Sequence, residues 1–347
     1  MIELKQNRLN FSFPEVSPDA RLTIEFQRTL RIPDDDQTYP LPPGLGKFPL
    51  EHVDDYASRV PERWVQRGGV MLPMYQAEAL WINFNFHYVQ DRESPYPFAV
   101  KISAGKIDAV TGENWDEQLH RKPQDYVVIP RQPWLDGYCI RRGVIRQFVA
   151  MPLGAGYSAE EQITGEAEHG GLQIKVFPMR RKAFERRFPV VRKRRMMRSR
   201  RCFPEEAPLE ALFARKVDSM ALAPGGQMSQ EIYDDEFPFH EWCHKTSSRC
   251  FVHLVNTEVW RGITGKKPPT KPPKARDYTN AGLPWFDYYD ERPAVPGQEK
   301  LSNLQSVAEL AEEKRQNVLP ENDPVDPQNV VGLRKGMRLG QVREGCF

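Results

Sequence analysis

Proline sets the first limit on what this chain can fold into. There are 31 prolines in 347 residues, about twice the usual ~5% share, and they punctuate nearly every segment. Each fixes φ and removes a backbone donor, so helices and central strands must stop near it. The consequence is short elements joined by ordered loops, which argues against an all-α fold. At 39% hydrophobic and 11% aromatic, the chain still has enough apolar surface for a sizeable core.

The stretch from Gln124 to Met179 shows what that core is made of. Asp125–Ile129, Gly143–Met151 and Leu172–Phe177 carry β-branched and aromatic residues between Pro and Gly punctuation, the pattern of strands with tight turns. Upstream, Ala99–Ile102 and Lys106–Val110 flank Ser103-Ala104-Gly105 as a hairpin. Ser158-Ala159-Glu160-Glu161 matches a capping box and predicts a short helix before Gly165. Leu209–Val217 and Ser302–Gln316 also read as helices, the latter with Leu304, Val307, Leu310 and Ala311 on one face. The predicted fold is β-rich α+β, with an antiparallel sandwich or barrel-like core, few short helices and one C-terminal helix. The expected layout is a core domain over 1–178, an arginine-rich segment over 179–202 and a second α+β region over 203–316. The aromatic segment Ala281–Tyr289 packs that second region on the core, and 317–347 is an extended tail.

The formal net charge of +2 conceals an uneven distribution. Between Arg180 and Arg201 stand 12 basic residues and one acid, Glu185, which leaves the remainder of the chain acidic. Arg180, Arg181, Arg186, Arg187, Arg192, Lys193, Arg194 and Arg195 are candidate anion-binding residues, because guanidinium forks suit phosphates and carboxylates. The partner is a nucleic acid, an acidic protein surface or an anionic membrane surface. The plainer account is a solvated helix whose arginines pair with the acidic body. The N-terminus lacks an apolar signal region, and no apolar run approaches the ~20 residues of a spanning helix. Five widely spaced cysteines fit a reducing compartment, so the expectation is a soluble, cytoplasmic protein.

Two groups of side chains have the composition of reactive sites. Glu166, Glu168 and His169 precede Gly170-Gly171, and carboxylates beside an imidazole on a glycine loop can serve as general acid and base or hold a divalent metal. A polar, solvated turn explains the same residues. His240, Cys243, Cys250 and His253 supply zinc-type donors with two-residue gaps. Against this, Cys250 and His253 lie in a strand-like run, where side chains three apart point to opposite faces. Cys139 sits in a strand-like run as a buried thiol. The chain has no G-x-S-x-G elbow, no G-x-x-x-x-G-K-[ST] loop and no G-x-G-x-x-G fingerprint; it points to no particular cofactor. Two function classes follow. The first is a non-catalytic binding or assembly protein that contacts an anionic partner through 179–201. The alternative is a metal-assisted, hydrolase-like enzyme around Glu166, Glu168 and His169.

Several strings together, among them LPPGLGKFPL, GGVMLPMYQAEALWINF, YPFAVKISAGKIDAVTGE, QPWLDGY and IRQFVAMPLGAGYSAEEQITGEAEHGGLQIKVFPM, resemble an uncharacterised bacterial protein family. Its members are sometimes labelled membrane proteins, a label that fits poorly with a chain lacking a spanning segment. The likeness spans roughly residues 41–315 and implies that they act as one unit. It carries over no reaction, cofactor or catalytic residue.

Overall fold

The computed structural model describes residues 1–191, 219–289, 292–319 and 321–334. Its centre is a large, mainly antiparallel sheet. Starting from Ile2–Leu4, each strand pairs with the next through Leu9–Ser12, Arg21–Thr29, Ala79–Phe86, Val144–Pro152 and Ser219–Ser229. From there the run continues through Ser248–Asn256, Leu172–Pro178 and Phe98–Ala104 to Val127–Ile129. Val70–Met74 joins alongside Ser248–Asn256 as a parallel neighbour.

The sheet folds over itself without closing into a barrel. Phe13, beside the first strands, meets Phe98 near the far end with ring centroids 6.0 Å apart, and residues from both ends share one buried apolar cluster. The fold class is thus the β-rich one the alternation predicts, in its open form. Strands of the expected second region, Ser219–Ser229 and Ser248–Asn256, stand between Val144–Pro152 and Leu172–Pro178 in the same sheet. The core of 1–178 is therefore completed by later chain.

Burial on both faces accounts for the strand sequences. Phe98–Ala104 is buried at every position and is nearly continuous in apolar residues, as a covered strand must be. Its one charge, Lys101, donates to Asp125 Oδ2 at 2.7 Å, the Gln118 carbonyl at 2.7 Å and Asp116 Oδ1 at 3.2 Å. A buried ammonium is tolerated only with such partners. The expected hairpin forms, with Ser103 opposite Asp108 and Ala104 opposite Ile107. Its turn is Gly105-Lys106, one residue beyond the expected Ser-Ala-Gly, because glycine supplies the positive φ of 58° that the turn requires.

Helices are short and sit at the rims. α1 spans Glu62–Arg67, α2 Ala159–Thr164, α3 Arg181–Arg187 and α4 Thr257–Thr264. Among the described residues no helix is long and apolar enough to cross a membrane. The expected C-terminal helix is present as Val307–Glu313, opened by a Ser306–Glu309 capping box. It is shorter than the pattern because Leu304 is buried in the approach rather than in the helix. Trp285 of the aromatic segment is buried completely, and Phe286 bridges Leu41, so this segment does dock on the body. The expected helix at 209–217 lies outside the described residues.

Candidate functional site

α2 begins where the sequence says it should. Ser158 Oγ accepts the Glu161 backbone N–H at 3.2 Å, Glu161 returns a bond to the Ser158 N–H at 3.1 Å, and Gly165 ends the helix in the left-handed region. Glu161 is therefore spent on the cap. Its neighbour Glu160 turns inward and is 2% exposed. The Gly105 turn packs against it: a Cβ at residue 105 would lie 2.2 Å from Glu160 Oε2.

The loop after α2 returns through Gly170 and Gly171, at φ 58° and 61°. A Cβ at 171 would strike the Val252 carbonyl oxygen at 2.5 Å, so the chain passes directly over the Ser248–Asn256 strand. This reversal lays His169 on Glu160, with Nδ1 2.8 Å from Oε1, while the Gly170 N–H donates to Oε2 at 3.1 Å. A carboxylate accepting from Nδ1 fixes the ring's tautomer and leaves Nε2 as the working nitrogen.

Of the three loop residues singled out in the sequence, the structure brings only His169 into a defined arrangement. Glu168 is an exposed carboxylate 3.9 Å from Nδ1, and Glu166 is exposed, with its backbone N–H on Thr164 Oγ1. The buried partner is Glu160.

α1 closes the other side. Arg63 and Arg67 are four apart and so share a helix face. Arg67 Nη1 donates to the His169 carbonyl at 3.4 Å, Arg63 Nη1 to the Glu168 carbonyl at 3.4 Å, and Arg63 Nη2 to Ser219 Oγ at 2.9 Å. Burial pulls the His169 imidazole below its ordinary pKa. The Glu160 bond opposes that shift, while the charges of Arg67 and Lys106 reinforce it.

The zinc-type residues separate. His240 is exposed in a 3-10 turn, Cys243 is part-buried, and Cys250 lies buried in the strand with its thiol pushed up to about 12 by burial. His253 Nε2 bonds the Gly68 carbonyl at 3.0 Å, and the ring stacks on Trp64 at 4.5 Å. The pleat keeps Cys250 and His253 on opposite faces. Among the described residues no three His, Cys, Asp or Glu side chains converge as a metal set. His253 instead borders the first site, since the charges of Arg67 and Arg63 act on it as well.

The arginine-rich segment is described as far as residue 191. Phe184 anchors α3 against Tyr96, with ring centroids 4.2 Å apart. Arg186 and Arg187 both bond the buried Glu241 carboxylate. Burial raises that carboxyl, but the bonds and charges of Arg187 and Arg186 outweigh it and hold it below the ordinary value. Arg181 pairs with Glu185 at 2.8 Å, and Arg180 donates to the Trp242 carbonyl at 3.1 Å. Arg192, Lys193, Arg194 and Arg195 lie outside the described residues. No protein-family model matches the chain, and neither does any curated protein or solved structure.

Proposed function

We propose that this protein is a binding or assembly module that contacts an anionic partner through the basic segment 179–201. The observation that carries the reading is the charge balance around α3. Of the 12 basic residues between Arg180 and Arg201, the described ion pairs engage Arg181 with Glu185, and Arg186 and Arg187 with Glu241. The sequence of the segment holds 12 cations and one acid of its own, and that local surplus creates a positive field that raises the local concentration of anions. α3 gives this segment a fixed origin. Phe184 is buried, and beyond α3 Arg92 donates to the Phe188 carbonyl at 2.6 Å and the Val191 N–H to the Asp91 carbonyl at 2.6 Å, so the segment is anchored as far as residue 191.

Retention on a heparin column tests this reading. The wild-type protein is expected to bind at low salt and elute in a salt gradient. Replacing Arg192, Lys193, Arg194 and Arg195 together with serine is expected to move elution to clearly lower salt, because each cation lost removes about one released counterion. Serine at Lys267 and Lys271, in the proline-lysine connector, serves as the control and is expected to change little. Unaltered retention of the quadruple variant would refute the proposal.

A further inference from the structure

We propose that Arg63 and Arg67 of α1, Lys106 of the hairpin turn and the His169 imidazole form a binding site for a small oxyanion, the phosphate or carboxylate group of a substrate. His169 exchanges a proton with the bound group through Nε2. This site is independent of the basic segment.

Unspent charge is the first support. Among the described residues no carboxylate lies within ion-pair distance of Arg63, Arg67 or Lys106, whereas Arg28, Lys101, Arg146 and Lys175 each have one. The two arginines donate to the carbonyls of 168 and 169 and to Ser219. These contacts orient the guanidinium groups without neutralising them. Each guanidinium has five N–H donors, so donors remain for a ligand.

The imidazole supplies the second. Glu160 holds Nδ1, and Nε2 has no protein hydrogen-bond partner among the described residues yet is not sealed from solvent. A buried carboxylate that fixes one ring nitrogen and leaves the other open is how a histidine is prepared for proton transfer. When an oxyanion binds, the ring takes a proton from solvent, or from the acid form of the ligand, at Nε2 and holds it in a hydrogen bond to the anion, while Nδ1–H remains on Glu160. The groups facing the ring from each element are Glu160 on α2, Glu168 on the loop, Arg63 and Arg67 on α1, and Lys106 on the hairpin. Tyr138, on the sheet beneath, feels the Glu160 charge. Glu160 and Glu168 both oppose an incoming anion and act on Arg67; Glu160 is engaged by His169 and the Gly170 N–H, and Glu168 sits exposed at the rim.

The test follows the His169 ring resonances by NMR, assigned through His169→Asn, during titration with inorganic sulfate, inorganic phosphate and acetate. Sulfate keeps its charge across the range where histidine titrates, so a pH dependence with sulfate belongs to the protein. Saturable shifts of the His169 signals are expected, with the ring's pKa raised when the anion is bound. Phosphate and acetate distinguish a phosphate site from a carboxylate site. Lys106→Gln, at an exposed position whose side chain makes no bond among the described residues, and Arg67→Gln are each expected to weaken binding about tenfold, the worth of one charge-assisted hydrogen bond. Glu168→Gln is expected to tighten it several-fold, a gain that a purely structural role for this cluster does not produce. No saturable shift with any of the three anions, or equal affinity in wild type and Lys106→Gln, would overturn the proposal.

Discussion

Replacing Glu160 with alanine is expected to destabilise the protein by roughly 3 kcal/mol, whereas alanine at Glu166 or Glu168 is expected to change stability by less than about 0.5 kcal/mol. The difference comes from what each carboxylate touches. Glu160 is 2% exposed and accepts from both His169 Nδ1 and the Gly170 N–H. Its removal leaves two donors facing a cavity from which water is largely excluded, and each unmet donor costs about 1–3 kcal/mol. Glu168 forms only a solvent-screened contact, 3.9 Å from the ring, and such contacts contribute little. Urea unfolding of the three variants separates them. Glu160→Gln is expected to fall between, because its amide keeps one acceptor but offers an N–H where a donor already stands. If Glu160→Ala proved as stable as Glu168→Ala, the dyad would not exist in solution.

Much of the architecture could be read from the sequence, because the signals for strands, turns and caps are local. Alternation over Gly143–Met151 and Leu172–Phe177, the Gly105 turn and the Ser158 capping box each depend on a few adjacent residues; the strands and the cap appear where expected, and the turn one residue later. Strand order was not readable. Nothing local says that Ser248–Asn256 inserts beside Leu172–Pro178, since pairing is decided by burial across the whole sheet.

The candidate site shows the same division. His169 and its glycines stand out in the sequence, but Glu160 looks like its neighbour Glu161, and only the fold decides which one caps and which one turns in. The Gly170-Gly171 reversal that joins Glu160 to His169 is shaped by the Val252 carbonyl, more than 80 residues away in sequence. Arg67 reaches His169 across a separation of 102 residues, and a spacing rule cannot register that. The zinc-type pattern failed to assemble for a reason already legible in the sequence, the strand character of Cys250–His253.

Two buried groups are expected to pull the pH dependence of stability in opposite directions within one window. His253 is pushed down to about 4 by burial, against the help of the Gly68 carbonyl and with the charges of Arg67 and Arg63 adding to the shift. Between about pH 6.5, where the unfolded imidazole protonates, and about 4, the unfolded chain binds the extra proton, so His253 lowers stability as pH falls. The span of the shift corresponds to roughly 3 kcal/mol. Asp108 has the opposite sign. It is fully buried, and burial together with the nearby Asp125 charge pushes its carboxyl up to about 7. Its Oδ1 accepts from the Val110 and Thr111 N–H groups and the Thr111 hydroxyl, while Oδ2 has no partner. The folded state keeps that proton while the unfolded carboxylate ionises above about 3.8, so Asp108 lowers stability as pH rises toward 7, by roughly 4 kcal/mol. The two contributions largely cancel in the wild type, which makes single variants the informative comparison. Denaturant unfolding from pH 4 to 7 is expected to show His253→Gln gaining on wild type as pH falls and Asp108→Asn gaining as pH rises. Constant losses, such as the Trp64 stacking that glutamine lacks, shift a whole curve without altering its slope. Curves parallel to wild type for either variant would mean that its group titrates alike in the folded and unfolded chains.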